Sequence, residues 1–203
     1  MLRMLRQARI EEIRDEILAL RATEEDWFAV ADILGRLIAE VGRCWADGEL
    51  SVIDEHLFTG KLAQSLALVA VDFDVGRDAP IGLLATVSGE RHTLGLSLAS
   101  LCLRSAAIDA HWIGADTPSA ELVQFIGDSA EPPQLIALSA SAWSTDHAML
   151  ERACREIGAV CQERGTTLLI GGKGYWPEQL EYGERCGSFA DLKQALGKVG
   201  LIG

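Results

Sequence analysis

The chain of 203 residues is long enough for one large domain or two small ones, each with its own core. Hydrophobic residues make up 49% and charged residues 24%, a globular composition that excludes a disordered or collagen-like chain. Eighteen basic and thirty acidic residues leave a net charge of −12. Because such a field repels phosphate backbones, direct binding to nucleic acid is not expected.

Cysteine usage and the N-terminal composition bear on the compartment. The five cysteines are scattered and form no CxxC pair, which argues against a disulfide framework or a thiolate zinc site. Acidic residues interleave with the arginines near the N-terminus, unlike a transit or signal peptide. The longest apolar run, Leu66 to Val71, is far shorter than a membrane span. These features predict a cytoplasmic protein with reduced core thiols.

The first helices are predicted from apolar residues that recur at helical spacing. One stripe runs from Ile10 to Leu20. Thr23 precedes three acidic residues, which is typical of an N-cap with acid in the first turn. A second helix is therefore expected from about residue 24 to about Trp45.

A third helix is predicted after Gly48, which ends the second. Ser51 and Asp54 have the spacing of a capping box. The helix is expected from Ser51 to about Asp72. Together the three helices predict a helical bundle over residues 1–75.

The pattern changes after a linker at residues 72–80 that mixes charge, Gly and Pro. Short apolar runs then alternate with helical stretches, which predicts a parallel, doubly wound α/β sheet over residues 80–203. The predicted strands are Ile81 to Val87, Ala110 to Ile113, Leu135 to Ser139 and Thr167 to Ile170. The predicted helices are Leu94 to Ala107, Ser119 to Ile126, Thr145 to Arg164 and Ser188 to Leu196.

Three strand-end loops are the predicted location of the chemistry, because ligands of such sheets bind beyond the carboxyl ends of the strands. These loops are Ser88 to Gly95, Leu138 to Thr145 and Leu168 to Trp176.

The first loop contains the candidate metal ligand His92. Glu90, two residues earlier, has the position of a carboxylate that fixes the tautomer of a ligating imidazole. Gly95 would let a bulky ligand approach the backbone. The alternative is an ordinary turn with a solvated histidine and a helix cap at Thr93.

Small residues at the other two strand ends predict a narrow slot that accepts a long, thin group. They are Ser139, Gly171 and Gly172. The alternative is a polar strand end and a generic tight turn.

Together these motifs resemble the cobalamin-binding Rossmann-like, flavodoxin-like domain, whose signature is D/ExHxxG, SxL and GG. The resemblance implies that His92 is the lower ligand of cobalt and that Glu90 is its hydrogen-bond partner. It implies that Ser139, Gly171 and Gly172 contact the displaced nucleotide tail. Ser141 stands where the family has Leu, which bears on tail packing more than on cobalt ligation.

The helical half carries a second motif. Trp45, followed after nine residues by Glu55 and His56, resembles the WxxxxxxxxxEH pattern of CarH-type photoreceptors, which sense light through adenosylcobalamin. The resemblance implies that the bundle caps the upper face of the corrin and that these three residues contact the 5′-deoxyadenosyl group. The alternative is a core tryptophan followed by solvated helix residues.

The resemblance implies a regulator rather than an enzyme. The bundle is expected to begin at about residue 5, which leaves no room for a DNA-binding domain, as in AerR-type antirepressors that act on a partner repressor. We therefore expect a cobalamin-dependent light sensor whose bundle moves when light cleaves the cobalt–carbon bond. Its output would pass through a protein partner or a change of homo-oligomer.

Two alternatives remain open at this point. A corrinoid carrier of a methyltransferase system has the same two-part layout, although its loop usually reads DxHxxG. Some antirepressor relatives use this fold to bind haem, with His92 as a possible ligand.

Overall fold

The computed structural model describes residues 7–202. The predicted bundle (1–75) and the predicted sheet segment (80–203) include residues 1–6 and 203, which lie outside this range. The described part contains seven helices and five strands. The helices are α1 (Ile10–Thr23), α2 (Trp27–Ala46), α3 (Val52–Ala70), α4 (Leu94–Ser105), α5 (Ser119–Asp128), α6 (His147–Arg164) and α7 (Phe189–Lys198). The strands are β1 (Ile81–Thr86), β2 (Asp109–Gly114), β3 (Leu135–Ala140), β4 (Thr167–Gly172) and β5 (Glu184–Arg185).

The start of α2 differs from the prediction. Asp26, not Thr23, is the N-cap, and its carboxylate accepts a hydrogen bond from Ala29 N at 2.9 Å. The Thr23 hydroxyl instead donates to Leu20 O in the last turn of α1. Both residue types compete for backbone partners, and the charged acceptor occupies the cap.

The turn between α2 and α3 follows the prediction. Gly48 has a φ of +77°, in the left-handed region that favours glycine. The Ser51 hydroxyl accepts from Asp54 N while the Asp54 carboxylate accepts from Ser51 N, which confirms the capping box. The turn places the end of α2 beside the start of α3.

The sheet has the order β2-β1-β3-β4-β5, and every pair in it is parallel. This is the doubly wound order of flavodoxin-like folds, and it confirms the predicted fold class. The order in which strands are added changes side at β1: β2 lies on one side of it, and β3, β4 and β5 follow on the other side. The prediction missed β5, whose two residues are too few to leave a period-two pattern.

Two apolar clusters cover the faces of the sheet. One face packs on α5 and α6. The other packs on α4 and α7 and continues without a break into the bundle. From the bundle this cluster includes Phe28, Leu34 and Leu66, and from the sheet segment Leu101 and Leu196.

Polar contacts join the bundle to the sheet segment as well. The carboxylate of Asp32 on α2 accepts hydrogen bonds from Phe189 N at 2.7 Å and from Ala190 N at 3.1 Å. These are orphan donors of the first turn of α7. Arg104 on α4 donates to Ala70 O at the end of α3. The bundle therefore docks on α4 and α7.

The described cysteines are all free thiols, and four of the five are buried. Burial raises the pKa of Cys154, Cys161 and Cys186 to about 12, which keeps these thiols protonated and unreactive. Between residues 7 and 202, no helix combines the length and apolar character that a bilayer crossing needs.

Candidate functional site

The candidate site lies where the sheet changes winding direction. The loop with Glu90 and His92 follows β1, and the loop from Ser141 to Asp146 follows its neighbour β3. The carboxyl ends of adjacent parallel strands meet at one edge, so the two loops contact each other there.

The centre of the contact is the carboxylate of Glu90, whose residue is only 3% exposed. One oxygen, Oε1, accepts from His92 N at 2.7 Å and lies 2.6 Å from His92 Nδ1. The other, Oε2, accepts from Ser141 N at 2.7 Å and from the Ser144 hydroxyl at 2.6 Å. A buried carboxylate with four donors is fully satisfied.

This environment keeps Glu90 ionised. Burial raises the pKa of the Glu90 carboxyl, but the hydrogen bonds from Ser144, His92 and Ser141 outweigh it and lower the pKa to about 2. An ionised acceptor at Oε1 requires the Nδ1 atom of His92 to carry the proton. In the neutral imidazole, the Nε2 atom then has a free lone pair, on a side chain that is 59% exposed.

The backbone of the first loop is held by polar contacts that the sequence did not point to. The Thr86 hydroxyl and Asp116 N both donate to Glu90 O, at 2.6 and 2.9 Å. The Asp116 carboxylate accepts from Gly89 N at 2.6 Å. Asp116 itself has a φ of +54°, in the left-handed region that Asp tolerates better than most residues. These contacts fix the direction in which Glu90 enters the protein.

The predicted slot residues lie around the hydroxyl of Ser139. Ser139 pairs with Gly171 in the β3–β4 ladder. A Cβ atom built at Gly95 would lie 3.7 Å from Ser139 Oγ, and one built at Gly171 would approach nothing closer than 4.0 Å. Both glycines therefore leave space that a side chain would fill, as close approach of a ligand to the backbone requires.

Gly172 has a different explanation. Its φ is +83°, and a Cβ atom there would lie 2.2 Å from Ala140 O. The backbone alone therefore requires glycine at this position, whether or not a ligand binds beside it.

The structure places Ser141 beside the Glu90–His92 pair. Its N–H donates to Glu90, and its Oγ lies 3.2 Å from His92 Nδ1. The departure from the SxL pattern therefore adds a polar contact beside the histidine. Ser144, which the sequence analysis missed, lies in the same loop, and no spacing rule singles it out among the neighbouring hydroxyls.

On the bundle side, Trp45 meets the loop that follows β3. Its ring lies edge-on to that of Trp143, with centroids 5.5 Å apart. The Glu55 carboxylate lies 2.5 Å from His56 Nδ1 in the first turns of α3. The short turn that joins α2 to α3 places these residues at the same end of the bundle as Trp45.

Other tryptophans differ in burial. Trp176 is buried, and its Nε1 donates to Gly171 O at 2.9 Å. Trp112 and Trp143 are both exposed. Trp112 is exposed because it lies on β2, which is an edge strand of the sheet. Trp143 is exposed because it lies on a loop.

Comparison with known proteins identifies the family. The chain is 30% identical over 140 residues to the HTH-type transcriptional repressor CarH of Myxococcus xanthus, which covers 67% of this chain and 44% of the relative. It is 26% identical over 87 residues to dimethylamine corrinoid protein 3 of Methanosarcina acetivorans, which covers 42% of this chain and 41% of the relative. The chain belongs to the cobalamin-binding domain proteins. It spans less than half the length of these two relatives.

A solved cobalamin-binding domain protein has the same fold. The structure of the Methanosarcina barkeri monomethylamine corrinoid protein matches with a TM-score of 0.67 at 13% identity, over 93% of this chain and 96% of that one. No protein-family model matches the sequence.

The donor set fits a corrinoid better than a bare metal ion. In residues 7–202 no three His, Cys, Asp or Glu side chains gather as a metal site. A corrin would bring the other ligands of its metal, so the protein would need to offer a single donor. The Nε2 atom of His92, on an imidazole whose Nδ1 faces the Glu90 carboxylate, would be such a donor.

Proposed function

We propose that this protein binds adenosylcobalamin, with His92 as the lower ligand of cobalt, and acts as a light sensor that signals to a partner protein or through its own oligomeric state. The observation that carries the proposal is the Glu90–His92 pair. Its buried carboxylate fixes the imidazole with Nε2 outward at the carboxyl edge of the sheet. The similarity to the CarH repressor supports the regulatory role.

The residues below the corrin would hold it in place. Glu90 would raise the basicity of His92 Nε2 through its hydrogen bond at Nδ1. Ser139, Gly95 and Gly171 would line the space for the nucleotide tail, where the two glycines leave room. Gly172 would shape the end of β4 beside it.

The residues above the corrin would sense the upper ligand. Bound adenosylcobalamin supplies a cobalt–carbon bond that light cleaves. The indole of Trp45 offers an apolar face to an adenosine, and Glu55 and His56 offer hydrogen-bond partners to its hydroxyls. Loss of these contacts would free the bundle to move against the sheet segment, and the new arrangement would be recognised by the partner.

The test is an absorbance spectrum of protein loaded with adenosylcobalamin in the dark and then exposed to green light. We expect the dark protein to retain the corrinoid after desalting and the spectrum to change on illumination. His92→Ala is expected to lose the histidine-ligated spectrum or to weaken binding. His111→Ala is the matched control, because His111 is an exposed histidine on β2 that pairs with Asp109. An unchanged spectrum for His92→Ala would refute the ligand assignment.

The upper-face residues need a separate variant. Trp45→Ala is expected still to retain hydroxocobalamin through desalting, but to retain less of the adenosyl form or to change the light response. If Trp45→Ala matches the wild type in retention of the adenosyl form and in the light response, Trp45 serves packing alone.

A corrinoid carrier of a methyltransferase system is the second candidate, favoured by the similarity to the dimethylamine corrinoid protein. The same experiment separates the two functions. A carrier would accept a methyl group from a partner enzyme. With adenosylcobalamin bound, it would show no light-dependent change in oligomeric state or in binding to a partner. A Soret band in the purified protein would instead indicate haem.

A further inference from the structure

The contact between Trp45 and Trp143 joins the bundle to the histidine side of the site. Trp45 lies in the last turn of α2, and Trp143 lies in the loop after β3. Their rings meet at 5.5 Å between centroids with an interplanar angle of 71°, a favourable edge-to-face geometry. The side chain of Trp143 thus reaches from the sheet segment to the bundle.

The backbone of Trp143 continues this contact to the candidate cobalt ligand. Trp143 N donates to Ser141 Oγ at 3.2 Å. That oxygen lies 3.2 Å from His92 Nδ1, and Ser141 N donates to Glu90 Oε2 at 2.7 Å. A shift of Trp143 therefore displaces the donors that hold the Glu90–His92 pair.

The bundle is an important support for this loop. Trp143 is 61% exposed although it is a large apolar residue, so the sheet segment itself buries little of it. Its neighbour Ala142 is exposed as well. Further along, Ser144 O accepts from Tyr175 N at 3.1 Å, which ties the end of the loop to the β4 side. The part of the loop at Trp143 contacts the bundle through the ring of Trp45.

We propose that Trp143 is a positioning residue that transmits the position of the bundle to the Glu90–His92 pair. A movement of Trp45 then changes how firmly His92 is held. The effect passes through Trp143 and its loop. This deepens the proposed function, on which it rests for the role of His92. The contact itself is tested in protein that carries no corrinoid.

The experiment is amide hydrogen exchange on the full corrinoid-free chain. The N–H groups of His92, Ser141 and Trp143 are the reporters, because each donates within this network. We expect Trp45→Ala to accelerate their exchange about two- to tenfold, the factor that corresponds to the usual strength of an aromatic pair. Trp143→Ala should give the same acceleration, and the double variant should add nothing to it.

Two controls separate this effect from general destabilisation. Amides of β4 report global unfolding and should keep their wild-type rates. Trp112→Ala removes another exposed tryptophan, on the edge strand β2, and should leave the reporters unchanged. Where Trp45→Ala also accelerates β4, Trp45→Leu replaces it, since it fills more of the space without an aromatic ring, and the comparison is repeated with Trp143→Leu.

The outcome separates this inference from the proposed function. Wild-type exchange at the three reporters in both variants, or fully additive effects of the two changes, would overturn the role of Trp143 even if the protein binds cobalamin. Faster exchange in a protein that retains no hydroxocobalamin would support the contact and reject the cofactor. In loaded protein we expect Trp143→Ala to release hydroxocobalamin faster than Trp112→Ala.

Discussion

At the scale of single residues, the site depends on one buried carboxylate. Glu90 accepts from four donors that come from two loops about fifty residues apart. Removal of one partner of such a group leaves buried polar atoms unsatisfied, which costs about 1–3 kcal/mol. Glu90 therefore contributes to folding as well as to the orientation of His92.

Glu90→Gln is expected to reduce the free energy of unfolding by about 1–3 kcal/mol at pH 7, because the amide group presents a donor to other donors. The variant should also lose the part of the pH dependence of the free energy of unfolding that comes from the Glu90 carboxyl. The pKa of Glu90 is about 2 when folded and about 4.5 in the unfolded chain, so its ionisation stabilises the fold above pH 4.5 and this contribution is lost as pH falls towards 2. Urea unfolding from pH 6 to pH 3 measures the change.

The difference in stability between wild type and Glu90→Gln should therefore shrink as the pH falls through this window. Glu156→Gln is the control, since Glu156 is exposed on α6. A constant difference between wild type and Glu90→Gln would show that the carboxylate is not held as its contacts indicate.

Neighbouring glycines at the end of β4 allow a matched comparison. Gly172→Ala should lower the free energy of unfolding by about 1–3 kcal/mol from backbone strain. The close contact with Ala140 O adds to this loss. Gly171→Ala should be nearly neutral in stability, because its Cβ meets nothing closer than 4.0 Å, but should weaken corrinoid binding if the nucleotide tail lies there. Equal thermal stability of the two variants would contradict the backbone explanation.

At the scale of elements, the bundle supplies a cap for a helix of the sheet segment. Asp32 on α2 accepts from the first two amides of α7, more than 150 residues later in the chain. A carboxylate at a helix N-terminus satisfies orphan donors and interacts favourably with the helix dipole. Docking of the bundle and the start of α7 are therefore linked.

Asp32→Ala is expected to reduce the free energy of unfolding by about 1–2 kcal/mol, as loss of an N-cap does elsewhere. Asp32→Asn retains an acceptor and should lose less. Chemical denaturation of the three proteins side by side measures the order, and an Asn variant as weak as the Ala variant would argue that charge rather than hydrogen bonding matters.

At the scale of the whole molecule, one apolar cluster crosses from the bundle into the sheet segment. Bundle residues such as Phe28 and Leu66 belong to the same cluster as Leu101 on α4 and Leu196 on α7. Neither part buries that surface without the other. The bundle can move against the sheet only where this contact permits.

The full chain is therefore expected to unfold in a single transition. Far-UV circular dichroism follows all the helices, whereas near-UV circular dichroism follows tertiary packing around the aromatic rings. Coincident midpoints of the two signals in urea are the expected result. An early transition in one signal would mean that the bundle separates before the sheet unfolds.

Local sequence patterns were sufficient to predict the helices, four of the five strands and the edge of the sheet where His92 lies. Helical and strand periodicities are local, and the rule that ligands bind at strand carboxyl ends is general. The sequence also singled out Glu90 beside His92, because the two residues are close neighbours along the chain. The cap at Ser51 was predictable for the same reason.

The distant residues that complete the site could be identified only from the packing of the folded chain. The donors from Ser141 and Ser144 to Glu90, the meeting of Trp45 with Trp143, and the cap from Asp32 to α7 each join segments dozens of residues apart. No local pattern encodes such contacts, because they depend on how strands pair and helices pack. That packing also brings Ser141 beside Glu90 and His92.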